Sequence, residues 1–281
     1  MPPWSVSRPS SMTQPIGFDL STSRGVNISG TTANTKSGYG ELIPSTSFDA
    51  DGICVFLQPD IGAGTNTQTY LVDIAMGAGG SEVIFIPNIP VTSKRGVAQA
   101  VYVPIAIPAG VRLSARCQTL LAASNPRGIS ICASLFQRAY TNSNQARYKY
   151  AQDYGTNLSD SGGAQVDPGA TANTKGAWSE IVSSTSRTIR QIIIYVNLVN
   201  NPSATLSSMM MDIGIGAAGS EIPLLQNLRA IEYDGIDGLY PAVFGPYPVY
   251  IPEGTRLSAR AQSTTTDSTD RLFDVAVLGV G

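Results

Sequence analysis

The sequence predicts an all-β protein: two tandem, similar antiparallel β-sandwich domains of jelly-roll type, preceded by an extended N-terminal arm. Three observations lead there. A turn-and-strand phrase occurs twice, as Ile107-Pro108-Ala109-Gly110-Val111-Arg112-Leu113-Ser114-Ala115-Arg116 and as Ile251-Pro252-Glu253-Gly254-Thr255-Arg256-Leu257-Ser258-Ala259-Arg260. Short β-branched or aromatic runs alternate with glycine- and proline-rich turns along the whole chain. No segment carries a capped 3.6-residue period.

Within the repeated phrase, a proline followed two residues later by glycine fits a type I turn. The run after it alternates, with Leu113, Ala115 and Cys117 on one face and Arg112, Ser114 and Arg116 on the other, as a half-buried strand does. Residues 1–24 read as an extended arm. Pro2, Pro3, Pro9 and Pro15 sit among Ser and Thr, and Trp4 and Phe18 gain burial only by lying on a neighbouring subunit.

The first sandwich is assigned to residues 25–135 and the second to 164–281. Thr32-Ala33-Asn34-Thr35-Lys36 returns as Thr171-Ala172-Asn173-Thr174-Lys175, an offset of 139 (171 − 32). Ser45-Thr46-Ser47 and Ser184-Thr185-Ser186 keep that register, as do Gly80-Ser81-Glu82 and Gly219-Ser220-Glu221. By Ile107 and Ile251 the offset is 144, which places a five-residue insertion near 232–238. Strand signals recur in both copies: Ile53–Leu57 with Ile192–Val196, Tyr70–Met76 with Met209–Ile215, and closing strands Ile129–Ala133 and Phe273–Val277. That makes about seven or eight short strands per copy. Residues 136–163 read as a linker.

Composition narrows the function. Charged residues are 14% of the 281, against about 25% in an ordinary soluble domain, a surface suited to burial against partner subunits. A net charge of −2 gives no reason to expect nucleic acid or acidic membrane as partners. There is no histidine, hence no usual general base or zinc ligand. The first residues lack a secretory pattern, and the longest apolar run, Ile192–Val196, is far short of the ~20 needed to cross a bilayer. A soluble protein made in the cytoplasm is expected, with no cofactor and no catalytic residues.

The candidate residues take structural roles. Arg112, Arg116, Arg256 and Arg260 are expected to form ion pairs within their own copy, because Glu41/Glu180, Asp73/Asp212 and Glu82/Glu221 are duplicated with them. Tyr39 and Trp178 share a repeat position two residues before the shared glutamate, suiting either a core plug or a sugar-stacking surface. Cys54, Cys117 and Cys132 correspond to Ile193, Ala261 and Ala276, and so read as reduced, small core hydrophobes. Glu232, Asp234 and Asp237, like the pairs Asp49/Asp51 and Asp267/Asp270, read as solvated turn residues, since none has the spacing of a calcium loop.

With these phrases laid out, Asp-Ile-x-x-Gly-Ala-x-Gly-Ser-Glu (from Asp73 and Asp212), followed by Ile-Pro-x-Gly-x-Arg-Leu-Ser-Ala-Arg, resembles proteins encoded among the virion structural genes of tailed bacteriophages. The resemblance implies a non-enzymatic virion component made in the host cytoplasm: head decoration, head or tail fibre, or baseplate accessory. Its implied partners are other virion proteins; the scarce charge, the duplicated sandwich and the arm add the expectation of further copies of the chain itself, as a homotrimer or multi-copy ring. A carbohydrate-binding module for a host glycan, acting through Tyr39, Trp178 or the 232–238 loop, is the alternative.

Overall fold

The apolar runs alternate so strictly with turns that the chain folds into paired sheets, with one buried core in each half. The computed structural model describes residues 12–59, 68–93, 98–120, 128–137, 148–198, 207–232, 242–264 and 273–281. Among them there is no helix. The strands of the first half are β1 (Met12–Ile16), β2 (Phe18–Asp19), β3 (Arg24–Ser29), β4 (Gly40–Ile43), β5 (Gly52–Pro59), β6 (Gln68–Met76), β7 (Val83–Ser93), β8 (Gln99–Val103), β9 (Leu113–Thr119) and β10 (Gly128–Gln137). Those of the second half are β11 (Ala151–Tyr154), β12 (Ala164–Val166), β13 (Ser179–Val182), β14 (Ile189–Leu198), β15 (Ser207–Ile215), β16 (Ile222–Glu232), β17 (Ala242–Ile251), β18 (Leu257–Ser263) and β19 (Phe273–Val280).

All pairings are antiparallel. The first sheet runs β2-β3-β10-β5-β8, with β1 also on β10, and the second runs β4-β9-β6-β7. The third runs β11-β19-β14-β17, with β12 also on β19, and the fourth runs β13-β18-β15-β16. Two facing sheets of this connectivity are a jelly roll. Ile53, Val55 and Leu57 of the first sheet share a core with Val72, Ile74 and Cys117 of the second. Ile192, Ile194 and Val196 of the third share one with Met209, Met211 and Ala259 of the fourth.

The phrases that repeat in the sequence are bonded to one another in the fold. Thr46, from the Ser-Thr-Ser phrase, donates its hydroxyl to the Pro108 carbonyl at 2.7 Å and accepts from Val111 N, while its carbonyl takes the N–H of Gly110. Thr185 does the same for Pro252, Thr255 and Gly254. Both threonines are buried. Gly110 and Gly254 stand at φ +77° and +80°, the left-handed region that glycine enters without strain.

The sequence boundaries need correction at two places. The part of the arm that is described, from Met12, is not free: β1 pairs with β10 from Met12↔Gln137 to Ile16↔Ala133, and Ile16 is buried. The described part of the linker is likewise sheet, with β11 on β19 from Ala151↔Val280 to Tyr154↔Val277. The reason is that β10 and β19 would otherwise present an open edge beside a core. Trp4 lies outside the described residues, as do 138–147 of the linker and the insertion around 233–241.

The halves also share a buried boundary. Ile193, Tyr195, Ala276, Leu278 and Val280 point away from the second core and join the hydrophobic cluster of the first half. This explains why β19 is buried along its whole length. Leu71 and Gln118, on the outward side of the second sheet, are 0% and 2% exposed, whereas Met210, the counterpart of Leu71 on the fourth sheet, is 37% exposed.

Replacing Thr185 by valine keeps its shape and removes the hydroxyl that holds the Pro252 turn. The expected result is a loss of about 1–3 kcal/mol, read as a lower midpoint in urea unfolding. An unchanged midpoint would mean that the turn stands without it.

Candidate functional site

On the outer face of the second sheet, β6 and β9 set Asp73 opposite Arg116. A break of register in β7 puts Asn88 at φ +47° and aims its N–H at the same carboxylate. Asp73 therefore accepts from Arg116 Nε at 2.8 Å, Lys36 Nζ at 2.9 Å and Asn88 N at 2.9 Å. Arg112, one turn of the pleat away, donates to Glu41 at 2.7 Å, Glu82 at 3.1 Å and the Gly77 carbonyl.

The fourth sheet carries the same frame. Asp212 accepts from Arg260 (2.9 Å), Lys175 (2.8 Å) and Asn227 N (2.9 Å). Arg256 donates to Glu180 at 2.8 Å, Glu221 at 2.9 Å and the Gly216 carbonyl. Burial pushes the Asp212 carboxyl up, but the donors from Lys175, Asn227 and Arg260 outweigh it and hold the group below the usual carboxylate range. Burial pulls Lys36 below its usual value against the opposing pull of Asp73. The glutamate hydrogen bonds raise Arg112 and Arg256, led by Glu41 and Glu180 respectively. Such frames fix strand register; their charges are already spoken for.

Tyr39 and Trp178 cap these frames. The Arg116 guanidinium lies 4.9 Å from the Tyr39 ring centroid, and that of Arg260 lies 4.5 Å from the Trp178 ring. Trp178 also rests over Gly214, where an added Cβ would come within 2.8 Å of the ring. Both aromatics are half-buried, and each has one ring face occupied by its own domain.

The cysteines are free thiols, but only Cys117 is in the core, where burial raises it to about 11. Cys54 and Cys132 are half-exposed and correct the core reading. They lie on the outward face of the first sheet, whose counterpart on the third sheet carries Ile193 and Ala276 against the first half. The same outward face bears Phe56, Tyr102 and Phe136. Phe18 packs on Phe56 at 6.4 Å, and Tyr102 meets Phe136 edge-on at 6.1 Å. Phe18, given to a neighbour in the sequence reading, thus has a partner in its own chain.

Sequence reasoning missed Lys36/Lys175 and Asn88/Asn227 as members of the frames, although the lysines end the repeated Thr-Ala-Asn-Thr-Lys phrase. It also missed a repeat inside the assigned arm and linker. Gly17-Phe18-Asp19-Leu20-Ser21-Thr22-Ser23 matches Gly155-Thr156-Asn157-Leu158-Ser159-Asp160-Ser161 at an offset of 138 (155 − 17). Asp19 Oδ1 caps Ser21 N and Asn157 Oδ1 caps Ser159 N, and Ser23 and Ser161 stand at φ +57° and +56°. The second of these hairpins is pinned to the first half. Gln118 Nε2 donates to the Leu158 carbonyl at 3.0 Å and to Ser161 Oγ at 3.1 Å, and Ser161 Oγ donates to Asn34 Oδ1 at 2.7 Å. Nearby, Asn88 Nδ2 donates to Asp153 at 2.9 Å.

One buried carboxyl lies beside that hairpin. Asp274 is 4% exposed and its Oδ1 has no hydrogen-bond partner. Burial, reinforced by Asp160 and opposed by the Gly163 N–H, raises it to about 7. Among the described residues no group of three or more His, Cys, Asp or Glu side chains is placed to hold a metal. Asp49 accepts from Ala109 N. Asp234, Asp237, Asp267 and Asp270 lie outside the described residues, as does the side chain of Glu232.

No family model and no curated protein matches the sequence. Among solved structures, PNGF-II is similar at 10% identity and TM-score 0.42, covering 96% of this chain and 65% of that one. The chain thus spans about two thirds of PNGF-II. PNGase F, a glycosylasparaginase from Flavobacterium meningosepticum, is similar at 10% identity and TM-score 0.41, covering 96% and 95% of the two chains. A Broad Bean Stain Virus chain is similar at 11% and TM-score 0.32, covering 94% and 95%. Likeness this distant assigns no activity.

Asp212→Ala strands Lys175 and Arg260 beside a dry site. Because both cations keep some solvent, a loss of about 2–3 kcal/mol is expected, measured by chemical denaturation. The Asp274 carboxyl titrates at 3.8 in the unfolded chain and at about 7 in the folded one. Its stabilising contribution is therefore complete below about pH 4 and is lost as pH rises to about 7. Asp274→Ser, which installs the residue found at Ser130, should stabilise the protein above pH 7 by no more than about 4 kcal/mol and flatten the stability profile between pH 4 and 7. A profile identical to wild type would refute the assignment.

Proposed function

We propose that the protein is a non-enzymatic structural subunit of a tailed-bacteriophage virion, working by assembly as head decoration, head or tail fibre, or baseplate accessory. The observation that carries the assembly reading is the outward face of the first sheet. There Phe18, Phe56, Tyr102, Phe136, Cys54 and Cys132 form an apolar, largely uncharged surface. Aromatic-rich, charge-poor surfaces of this kind are typical of the buried centres of protein interfaces. The virion assignment rests on the resemblance of the repeated phrases to phage structural proteins. The arginine frames favour a structural role, because their ionic groups are paired with one another. The glycan alternative needs a free stacking surface at Tyr39 or Trp178, and the guanidinium over each ring favours a structural role for both.

Mass spectrometry of purified particles tests the reading. The chain is expected in multiple copies per particle, retained after washing at high salt. Absence from the particles would end it. Binding to host polysaccharide that is lost in Trp178→Ala would replace it with the glycan reading.

A further inference from the structure

We propose that the first sandwich joins Lys36 Nζ to Asn88 Cγ in an isopeptide bond, with release of ammonia, in a reaction of the folded chain upon itself. The lysine amine is the nucleophile and the asparagine side-chain amide is the acceptor, so no outside substrate is needed. This goes beyond the assembly reading and rests on neither that reading nor the virion assignment.

Lys36 leads into β4, one edge of the second sheet, and Asn88 stands in the bulge of β7, the other edge. Lys36 Nζ lies 2.6 Å from Asn88 Oδ1, 2.9 Å from Asp73 Oδ1 and 3.2 Å from the Leu71 carbonyl oxygen. A C=O bond is about 1.2 Å long, so the amide carbon is within about 3.8 Å of the amine. That is close to the ~3–3.5 Å from which attack begins. The site is dry, with the side chains of Lys36 and Asp73 17% and 2% exposed. Burial pulls Lys36 below its usual value, with the Arg116 charge adding to the effect and Asp73 opposing it. Its ammonium therefore gives up a proton more readily than one in water.

The Asn88 amide is held from both sides. Its Oδ1 faces the ammonium, while its Nδ2 donates at 2.9 Å to Asp153 Oδ2, an oxygen that also accepts from Thr156 Oγ1. Reversing the amide would set N–H against a cation and a carbonyl against a carboxylate. The second copy shows that the ion-pair frame stands without this contact. Asn227 has φ +55° and donates its N–H to Asp212, just as Asn88 does to Asp73. Lys175 reaches the Met210 carbonyl at 3.1 Å and Asp212 at 2.8 Å, but the Asn227 side chain is exposed and makes no bond to it. Holding the frame together therefore does not require lysine on asparagine. What differs in the first copy is Asp153, reaching over from the second half to turn the Asn88 side chain onto Lys36.

The step balances without an oxidant or reductant. Asp73 Oδ1 takes a proton from the Lys36 ammonium, acting as general base. The freed amine attacks Asn88 Cγ, the bond from Nζ to Cγ forms, and the bond from Cγ to Nδ2 breaks. Nζ gives up two protons in all, and both end on Nδ2, which departs as ammonium. Asp153 is a positioning residue, because it touches the leaving nitrogen only to orient it. Fixing amine and amide side by side supplies the effective concentration that two free groups in water lack. The product is a covalent strap running from the β4 edge of the second sheet to its β7 edge, on the outward face.

Intact-mass spectrometry of the unfolded full-length protein tests the bond, and should read one ammonia less than the sequence. Trypsin followed by a glutamate-specific protease should release residues 25–41 joined to residues 83–94, because a linked Lys36 is no longer cut. Lys36→Arg and Asn88→Ala, with circular dichroism confirming the fold, should read the full mass, and Lys175→Arg should keep the loss. Followed during cell-free synthesis, linking in Asp153→Ala should be at least about tenfold slower than in wild type; an equal rate would remove Asp153 from its positioning role. A wild type of full mass that yields residues 25–36 and 83–94 as separate fragments would overturn the proposal. A loss of ammonia that persists in Lys36→Arg would overturn it too, since it would mark an asparagine cyclised on its own backbone.

Discussion

The carboxylate of Asp73 is the constraint on which most of the first half depends, and Asp212 is its equal in the second. One side chain gathers a strand neighbour (Arg116), the end of a loop (Lys36) and the bulge of an adjacent strand (Asn88 N). A carboxylate so dry persists only when its lone pairs are met by donors. The register of β6 against β9, the bulge in β7 and the approach of the loop before β4 are therefore fixed together. Lys36 Nζ also donates to Asn88 Oδ1 at 2.6 Å, which leaves the Asn88 side-chain Nδ2 turned toward Asp153 in the second half. The placement of one sandwich on the other is thereby tied to an ion pair inside the first.

The same sheet design meets different surroundings at its four outward faces. Ile193, Tyr195 and Leu278 are apolar because that face is dry. Cys54, Phe56 and Ser134 occupy the corresponding places on a face that is half-exposed. Inward positions keep their apolar character more than their identity: Leu113 and Leu257 agree, as do Ala115 and Ala259, while Tyr70, Val72 and Cys117 are answered by Met209, Met211 and Ala261.

How much of this was legible follows from the same distinction. The jelly-roll sheets could be read because turn phrases and inward alternation are local and duplicated. The arginine partners could be read because each carboxylate is duplicated with its arginine. The strands over 12–24 and 151–163 were missed because their shared phrase has diverged to Gly-x-Asp/Asn-Leu-Ser, short and rich in residues that also suit a flexible tail. Cys54 and Cys132 were misplaced because a Cys/Ile or Cys/Ala exchange says that a position is apolar without saying which side of the sheet it faces; Cys117 is in the core as expected. Burial of an outward face depends on residues more than a hundred positions away, and no local pattern encodes it.

The boundary between the halves also sets an order of events at the ribosome. The first sandwich has all its strands once Gln137 is made, but Val280, the last residue of β19, lies 143 residues further on (280 − 137). At ordinary synthesis rates that is an interval of roughly 10–30 s. During it Asn34, Asn88 and Gln118, whose partners lie in the second half, stand in water on a domain that has otherwise finished folding. The emerging second half is the surface that must reach them first, and being tethered to the same chain it has an advantage over any other copy in the cell.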